Sequence, residues 1–274
     1  MSLRINTNVE AFNAHRQLSA TSDKLGKAME RLSSGYRINR AADDAAGLAI
    51  SEKLQGQIGG LDQAQRNAQD AISLVQTAEG SLQEVHSMLQ RVRDLAVQYK
   101  NGSLSSTDKA AIQSEINMLA SEVERIGSSA QFNGILLLSA ANTITFQVGA
   151  EDGEVITVST ISLGQGVPAA AFAMTASGAD ISEIDAAIDA VSSQRAQFGA
   201  VQNRLEHTLS NLAIYEENLT SSESRIRDVD MAAEMVNFTK LQILQQSGTA
   251  MLAQEPDTAV RAPAAEGLSG AHRP

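Results

Sequence analysis

Apolar residues recur through the second quarter of the chain at Leu54, Ile58, Leu61, Ala68, Ile72, Val75, Leu82, Val85, Leu89, Val92 and Ala96, in steps of three, four or seven. Such steps keep one face of a helix apolar and trace a coiled-coil seam. The pattern predicts a single helix over about 44–100, roughly 85 Å long at 1.5 Å per residue, far longer than a compact domain needs. "NGSLSST" then interrupts it, and Thr107 or Asp108 is placed to cap a second helix. In that helix Ile112, Ile116, Leu119, Val123 and Ile126 repeat at 4-3-4-3 before "GSSAQFNG" ends it.

A third seam opens at "DISE", a capping-box-like start with Asp in place of Ser or Thr. It runs Ile181, Ile184, Ile188, Val191, Phe198, Val201, Leu205, Leu209, Leu212, Leu219, Ile226. Between the helical halves, "TITFQVG" and "EVITVS" alternate apolar with polar on either side of Ala150 to Gly153, predicting a β-hairpin closed by an Asp-Gly turn. Near the chain ends, Ile5, Val9, Phe12, Leu18, Leu25 and Leu32 mark one amphipathic helix, and Val229, Val236, Leu241 and Leu244 another. Isolated helices of this kind are marginal in water, so the two ends need each other or neighbouring copies. The expected fold is mainly α: a long coiled-coil helical bundle formed by both chain ends, with a small β-hairpin insert.

Composition supports long helices and argues against a catalytic globule. The four prolines are Pro168, Pro256, Pro263 and Pro274, so nothing upstream of Pro168 breaks regular structure. Six Phe, three Tyr and no Trp make a thin aromatic complement for an enzyme core. A net charge of −11 with no basic run excludes a non-specific nucleic-acid binder, which needs a basic face for phosphate. No stretch has the apolar length of a membrane span, and the start lacks the h-region of a signal peptide, so export would use another route. The absence of cysteine excludes disulfides, thiolate metal sites and cysteine nucleophiles.

The densest chemistry lies in "LSSGYRINRAADDAAGLAIS", Leu32 to Ser51. Asp43 and Asp44 could in principle form a paired-carboxylate site, but sequence neighbours do not face each other on a helix, and aspartates at a helix start meet the positive end of its dipole. A helix-start and interface role is the better reading. Gly35, Gly47, Gly59 and Gly60 mark close helix contacts or a connecting spoke rather than catalytic hinges. His15, His86, His207 and His272 are scattered and show no ligand spacing. "GQGVPA" is a chance match to a dinucleotide glycine pattern, with Pro168 inside it and no helix after it. Neither a cofactor nor a metal is expected.

"INTNVEAFNAHRQL", "MERLSSGYRINRAADDAAGLAISEKL", "LQRVRDLAVQ" and "RIRDVDMAAEMVNFTKLQILQQSGTAMLAQ" resemble the two terminal blocks of bacterial flagellin. The resemblance covers about Met1 to Leu138 and Asp180 to Gln254. It implies a filament subunit, exported unfolded through the flagellar type III apparatus with an export chaperone, and polymerised under a filament cap next to hook-filament junction proteins. It implies inner-tube terminal helices with a spoke over 1–44 and 224–254, and a rod over 45–223 carrying the hairpin near 142–160. In the spoke, Arg31, Arg37, Arg40, Asp43 and Asp44 would fix its shape and the subunit contacts. Carried over by residue, Gln90, Arg91, Leu95 and Gln98, with Glu115 on the next helix, would be read by a Toll-like innate receptor. Leu95, flanking the seam, also has a packing role open to it. Only about forty residues separate the two blocks, which implies a plain outer surface.

The tail "EPDTAVRAPAAEGLSGAHRP" departs from the family, whose members continue an amphipathic helix to a leucine-rich end. Codons compatible with Glu255 to Leu268, read one base later, spell N-R-T-P-Q-S-V-L-Q-L-L-R-A and a stop. A single-base frameshift accounts for the tail, which is expected to be disordered. The rival readings are a hook-filament junction component, a flagellin-derived enzyme and a secreted monomer acting as adhesin or immune ligand. The enzyme is excluded by an insert with no histidine and no nucleophile constellation.

Overall fold

The computed structural model describes residues 9–163, 167 and 180–254. In chain order these form α1 (Val9–Ser34), α2 (Ala45–Tyr99), α3 (Ser106–Ser129), β1 (Gln131–Phe132), β2 (Ile135–Leu136), β3 (Thr143–Gln147), β4 (Val155–Ser159), α4 (Asp180–Arg227) and α5 (Met231–Gln254). The chain divides into two compact units, Met1–Leu54 with Ser221–Pro274, and Gln55–Thr220.

The larger unit owes its core to the three predicted seams. Val75, Leu82, Val85, Leu89, Val92 and Ala96 of α2 meet Ile112, Ile116 and Val123 of α3 and Ile184, Val191 and Phe198 of α4. Two further clusters extend this line, Ala68 with Leu205, and Leu61 with Leu212. Helix α2 buries more than its predicted seam, since Ala64, Ala71, Leu74 and Ala78 are also fully enclosed. The small side chains that decorate its second face admit close neighbours on that side too.

Local chemistry sets where the elements stop. Helix α3 is capped two residues before Thr107: Ser105 is the cap, its Oγ accepting the Asp108 N–H while the Asp108 carboxylate accepts the Ser105 N–H, a reciprocal capping box. The side chain of Asp180, at the start of "DISE", lies outside the described residues. Past α3, Asn133 and Gly134 both have positive φ (48° and 79°) and close the two-residue pairing of β1 with β2, antiparallel with Phe132 opposite Ile135. An Asn-Gly pair with both residues left-handed is the favoured tight hairpin turn.

The larger hairpin pairs β3 with β4 antiparallel, Gln147 opposite Val155. Its connection is longer than the predicted Asp-Gly turn. Val148 donates to the Glu154 carbonyl at 2.9 Å, and the Gln147 side chain fills the loop, donating to the carbonyls of Gly149 (3.1 Å) and Glu151 (2.6 Å). Ile156 and Val158 of β4 are buried against the helices, and Gln194 of α4, itself buried, donates to the Ser159 carbonyl at 2.8 Å.

The smaller unit holds the pair α1 and α5, with the first residues of α2 and the last of α4. The half-buried line of α1 is Ala11, Ala14, Leu18, Thr21, Leu25, Ala28 and Leu32, and that of α5 is Glu234, Phe238, Leu241, Gln245, Gly248 and Leu252, both at heptad spacing. Val9, Phe12, Val236 and Leu244, which the apolar pattern assigns to these stripes, point outward instead. Apolar residues run around the whole circumference of α5, so its pattern alone does not select the line that α1 covers.

The packing predicts where truncation is costly. Phe198→Ala should destabilise the larger unit by about 3–5 kcal/mol in urea unfolding, whereas Val236→Ala, on an outward face of the isolated chain, should change stability by less than about 1 kcal/mol.

Candidate assembly interface

The stretch Leu32 to Ser51 begins by ending a helix. Gly35, at φ +77°, donates to the Arg31 carbonyl at 2.9 Å, and this left-handed residue stops α1. The chain then pairs with the break between α4 and α5. Tyr36 and Asp228 form an antiparallel bridge, Arg37 donates from its backbone to the Arg227 carbonyl at 2.7 Å, and Val229 donates to the Gly35 carbonyl at 3.0 Å. The Arg37 guanidinium adds a bond to the Ile226 carbonyl at 2.5 Å, and the Arg227 guanidinium lies 4.5 Å from the Tyr36 ring centroid. Cation–π contact of this kind is worth about 0.5–1 kcal/mol where exposed.

Each sequence-predicted joint residue has a definite position here. Asp43 Oδ2 accepts the backbone N–H of Arg40 (3.1 Å) and Asn39 (3.3 Å), holding the turn closed. These bonds, Arg40's first, together with the charges of Lys27 and Arg31, hold the Asp43 carboxyl below its ordinary 3.8 against an opposing desolvation. Arg40 reaches back to Glu30 at 2.9 Å. Asp44 caps α2, its Oδ1 accepting the Gly47 N–H at 2.9 Å. The carboxylates therefore act on backbone rather than as an acid-base pair.

Gly47 completes the arrangement for a steric reason. A Cβ there would lie 2.5 Å from Asp44 Oδ2 and 2.7 Å from Cδ1 of the buried Ile38. Gly60 likewise admits Ala150 of the hairpin loop, 3.0 Å from its virtual Cβ, whereas Gly59 faces open space. The apolar pattern does not mark the C-terminal half of the joint, because the stripe of α4 runs through Ile226 and that of α5 takes in Val229 without showing a break. The legible signal is Asp230, whose Oδ1 accepts the N–H groups of Ala232 (3.0 Å) and Ala233 (3.1 Å) and so caps α5.

The second set of predicted residues lies on α2 and α3. Arg91 donates through Nε (3.0 Å) and Nη2 (2.7 Å) to Glu115 Oε1, and the exposed Gln90 Nε2 lies 2.9 Å from His86 Nε2. Gln98 is exposed, seven residues from Arg91 and so on the same face. Leu95 is only 2% exposed and belongs to the core of the larger unit, which removes it from the surface set. The neighbouring Arg93 turns the other way and donates to Asp185 of α4 at 2.6 Å, so successive arginines of α2 tie it to α3 and to α4.

Among the described residues no helix is long and apolar enough to cross a membrane. Residues 5–143 match the model of the bacterial flagellin N-terminal helical region, and residues 181–259 that of the C-terminal helical region. The C-terminal match thus runs slightly past Gln254, where the motif resemblance stops. The chain is 52% identical to a flagellin of Halalkalibacterium halodurans (91% of this chain, 94% of that protein) and 46% identical to a flagellin of Bacillus subtilis (92% and 96%). A solved Bacillus cereus flagellin is similar at 32% identity, with a TM-score of 0.49 over 54% of this chain and 88% of its own.

Two predictions concern the joint. Gly47→Ala should lower the stability of the α2 start by about 1–3 kcal/mol, while Gly26→Ala, in open space within α1, should raise stability by roughly 0.5–1 kcal/mol; amide exchange in the two variants separates them. Because the folded pKa of Asp43 is depressed, its stabilisation is present above the ordinary value of 3.8 and is lost as pH falls through the lower folded value. Protection of the Asn39 and Arg40 amides, measured against their intrinsic exchange rates, should therefore fall on acidification, and Asp43→Asn should remove that pH dependence.

Proposed function

The chain belongs to the bacterial flagellin family and is a structural subunit of the flagellar filament; on that premise we propose which of its surfaces assemble and which serve other partners. The α1–α5 pair forms the inner tube, joined by the spoke at 32–51 to a rod built from the larger unit. Arg31, Arg37, Arg40, Asp43 and Asp44 shape the spoke within one subunit, and their exposed parts meet the neighbouring subunit. One observation carries this reading. The pair leaves Val9, Phe12, Met29, Met231, Met235, Val236, Ile243, Leu244 and Met251 exposed, and large apolar side chains gathered on one helix pair mark an interaction surface. Neighbouring copies cover that surface in a filament.

The chain leaves the cell through the flagellar type III apparatus with an export chaperone, polymerises beneath the filament cap on hook-filament junction proteins, and functions outside the cell. A host's Toll-like receptor would read the polar face formed by Gln90, Arg91, Gln98 and Glu115. Because Arg91 and Glu115 are bound to each other, such a receptor either accepts the pair as a unit or separates it. The residues after Gln254 replace the family's leucine-rich ending, and their effect falls on the α5 end of the inner tube. A secreted monomer is the second reading, favoured only if that tail blocks growth.

Seeded polymerisation separates these outcomes. Purified chain added to short filament fragments should elongate them, as seen by sedimentation and electron microscopy. A chain that stays soluble but elongates once a leucine-rich helical ending is restored would place the defect after Gln254. A chain that stays soluble with either ending would overturn the filament reading.

A further inference from the structure

Of the methionines in the described residues, Met29, Met231, Met235 and Met251 are exposed on the smaller unit, Met118 is exposed on α3, and Met88 is partly buried against the core of the larger unit. On α5 the exposed apolar residues fall on three lines by spacing. Met231 and Met235 are one turn apart, Leu244 and Met251 two turns apart, and Val236 and Ile243 two turns apart. The heptad line through Leu241 that packs on α1 runs between the first two, so methionines flank the intrachain seam on both sides. Thioethers thus supply much of the surface that must become dry on assembly. Methionine is also the one apolar side chain that a mild oxidant converts into a polar one.

We propose that Met29, Met231, Met235 and Met251 form an oxidation-sensitive set on the assembly surface, at which conversion to the sulfoxide stops subunit addition. The proposal rests on the filament reading above. In the reaction the thioether sulfur attacks one oxygen of hydrogen peroxide. An S–O bond forms, the O–O bond breaks, and the departing hydroxide takes up the remaining proton to leave as water. Sulfur is oxidised by two electrons and the peroxide is reduced. The product carries a strong hydrogen-bond acceptor where the neighbouring subunit presents apolar side chains, and burying that acceptor without a partner is unfavourable. Methionine sulfoxide is reversible by sulfoxide reductases, so the block is a switch rather than permanent damage.

The test compares seeded elongation by the full chain before and after hydrogen peroxide treatment, with peptide mass mapping of each methionine. Untreated chain, given a leucine-rich ending if its own tail blocks growth, must elongate the seeds; if it stays soluble with either ending, the filament reading fails and not this one. Treated chain, modified at the four positions with Met88 spared and its helical circular dichroism retained, should add to seeds at least about tenfold less well, equivalent to about 1.4 kcal/mol per subunit. Methionine sulfoxide reductases acting on both epimers should restore growth. A chain carrying Met29→Leu, Met231→Leu, Met235→Leu and Met251→Leu, with Met118 retained, should elongate equally well before and after treatment. In assembled filaments the same four positions should oxidise more slowly than in the monomer. The proposal is overturned if oxidised chain elongates at the untreated rate, if the reductases restore nothing, or if the four-leucine chain is blocked by peroxide to the same degree.

Discussion

The short antiparallel contact between residues 35–37 and 226–229 is the constraint on which the smaller unit depends. It joins segments about 190 residues apart in sequence through two backbone hydrogen bonds and one from the Arg37 guanidinium to the Ile226 carbonyl. Closing so long a loop costs little more than closing a shorter one, because the entropy grows only with the logarithm of length. The contact therefore needs only local stabilisation to persist. Gly35 supplies it by ending α1 in a left-handed turn, and Asp230 by starting α5 with a side-chain cap. With both helix ends fixed at one point, the heptad lines of α1 and α5 meet in a single register.

Legibility of the fold in the sequence followed the strength of each local signal. The seams of α2, α3 and α4 were plain because leucine, isoleucine and valine recur at heptad spacing over many turns, and one face is buried throughout. The buried alanines of α2 were not, since alanine at 64, 71 and 78 reads equally as a small exposed residue or a close-packed one. The β1–β2 hairpin was passed over although Asn133-Gly134 is a strong turn signal. Its strands have only two residues each, too few to show alternation. The lines of α1 and α5 were placed only in part, with Leu18, Leu25, Leu32 and Leu241 on them and Val9, Phe12, Val236 and Leu244 off them, for the opposite reason, an excess of apolar candidates.

At the joint, residue type was legible and geometry was not. Arginines and aspartates clustered at 31–44 announced a connection between helices, and Asp44 as a helix start followed from ordinary capping chemistry. Nothing in the sequence showed that Asp43 would accept two backbone N–H groups, or that Gly47 would be crowded by Ile38 and Asp44. Those facts depend on the backbone path of the 38–47 turn, which residue type alone does not give. Leu95 illustrates the same limit on α2. Its neighbours at 90, 91 and 98 are polar and exposed, yet a slight rotation of the helix decides whether position 95 faces the core, and here it does.

The distribution of side-chain size between the two units has an energetic consequence. The larger unit encloses Phe198, Leu74, Leu82, Leu89, Ile116, Ile184 and Leu205, and each such side chain contributes about 1.5–3 kcal/mol on burial. In the smaller unit the intrachain seam alternates Leu18, Leu25, Leu32, Phe238, Leu241 and Leu252 with small or polar residues such as Ala14, Thr21, Gln245 and Gly248, and of these lines only Ala28 and Leu241 are buried, while Phe12, Val236, Ile243 and Leu244 face outward. Gly248 marks how closely the helices approach, with Leu18 only 3.3 Å from its virtual Cβ. A seam whose side chains stay mostly half-buried fixes geometry but leaves part of its apolar surface in water. On the filament reading proposed above, the pair is aligned by its own contacts and gains further stability from those it makes with neighbouring copies. Binding that favours the folded form raises its stability by mass action, so α1 and α5 should be marginal in a subunit awaiting addition and firm once it is incorporated. The larger unit folds on its own core; on that reading the smaller completes its folding on its neighbours.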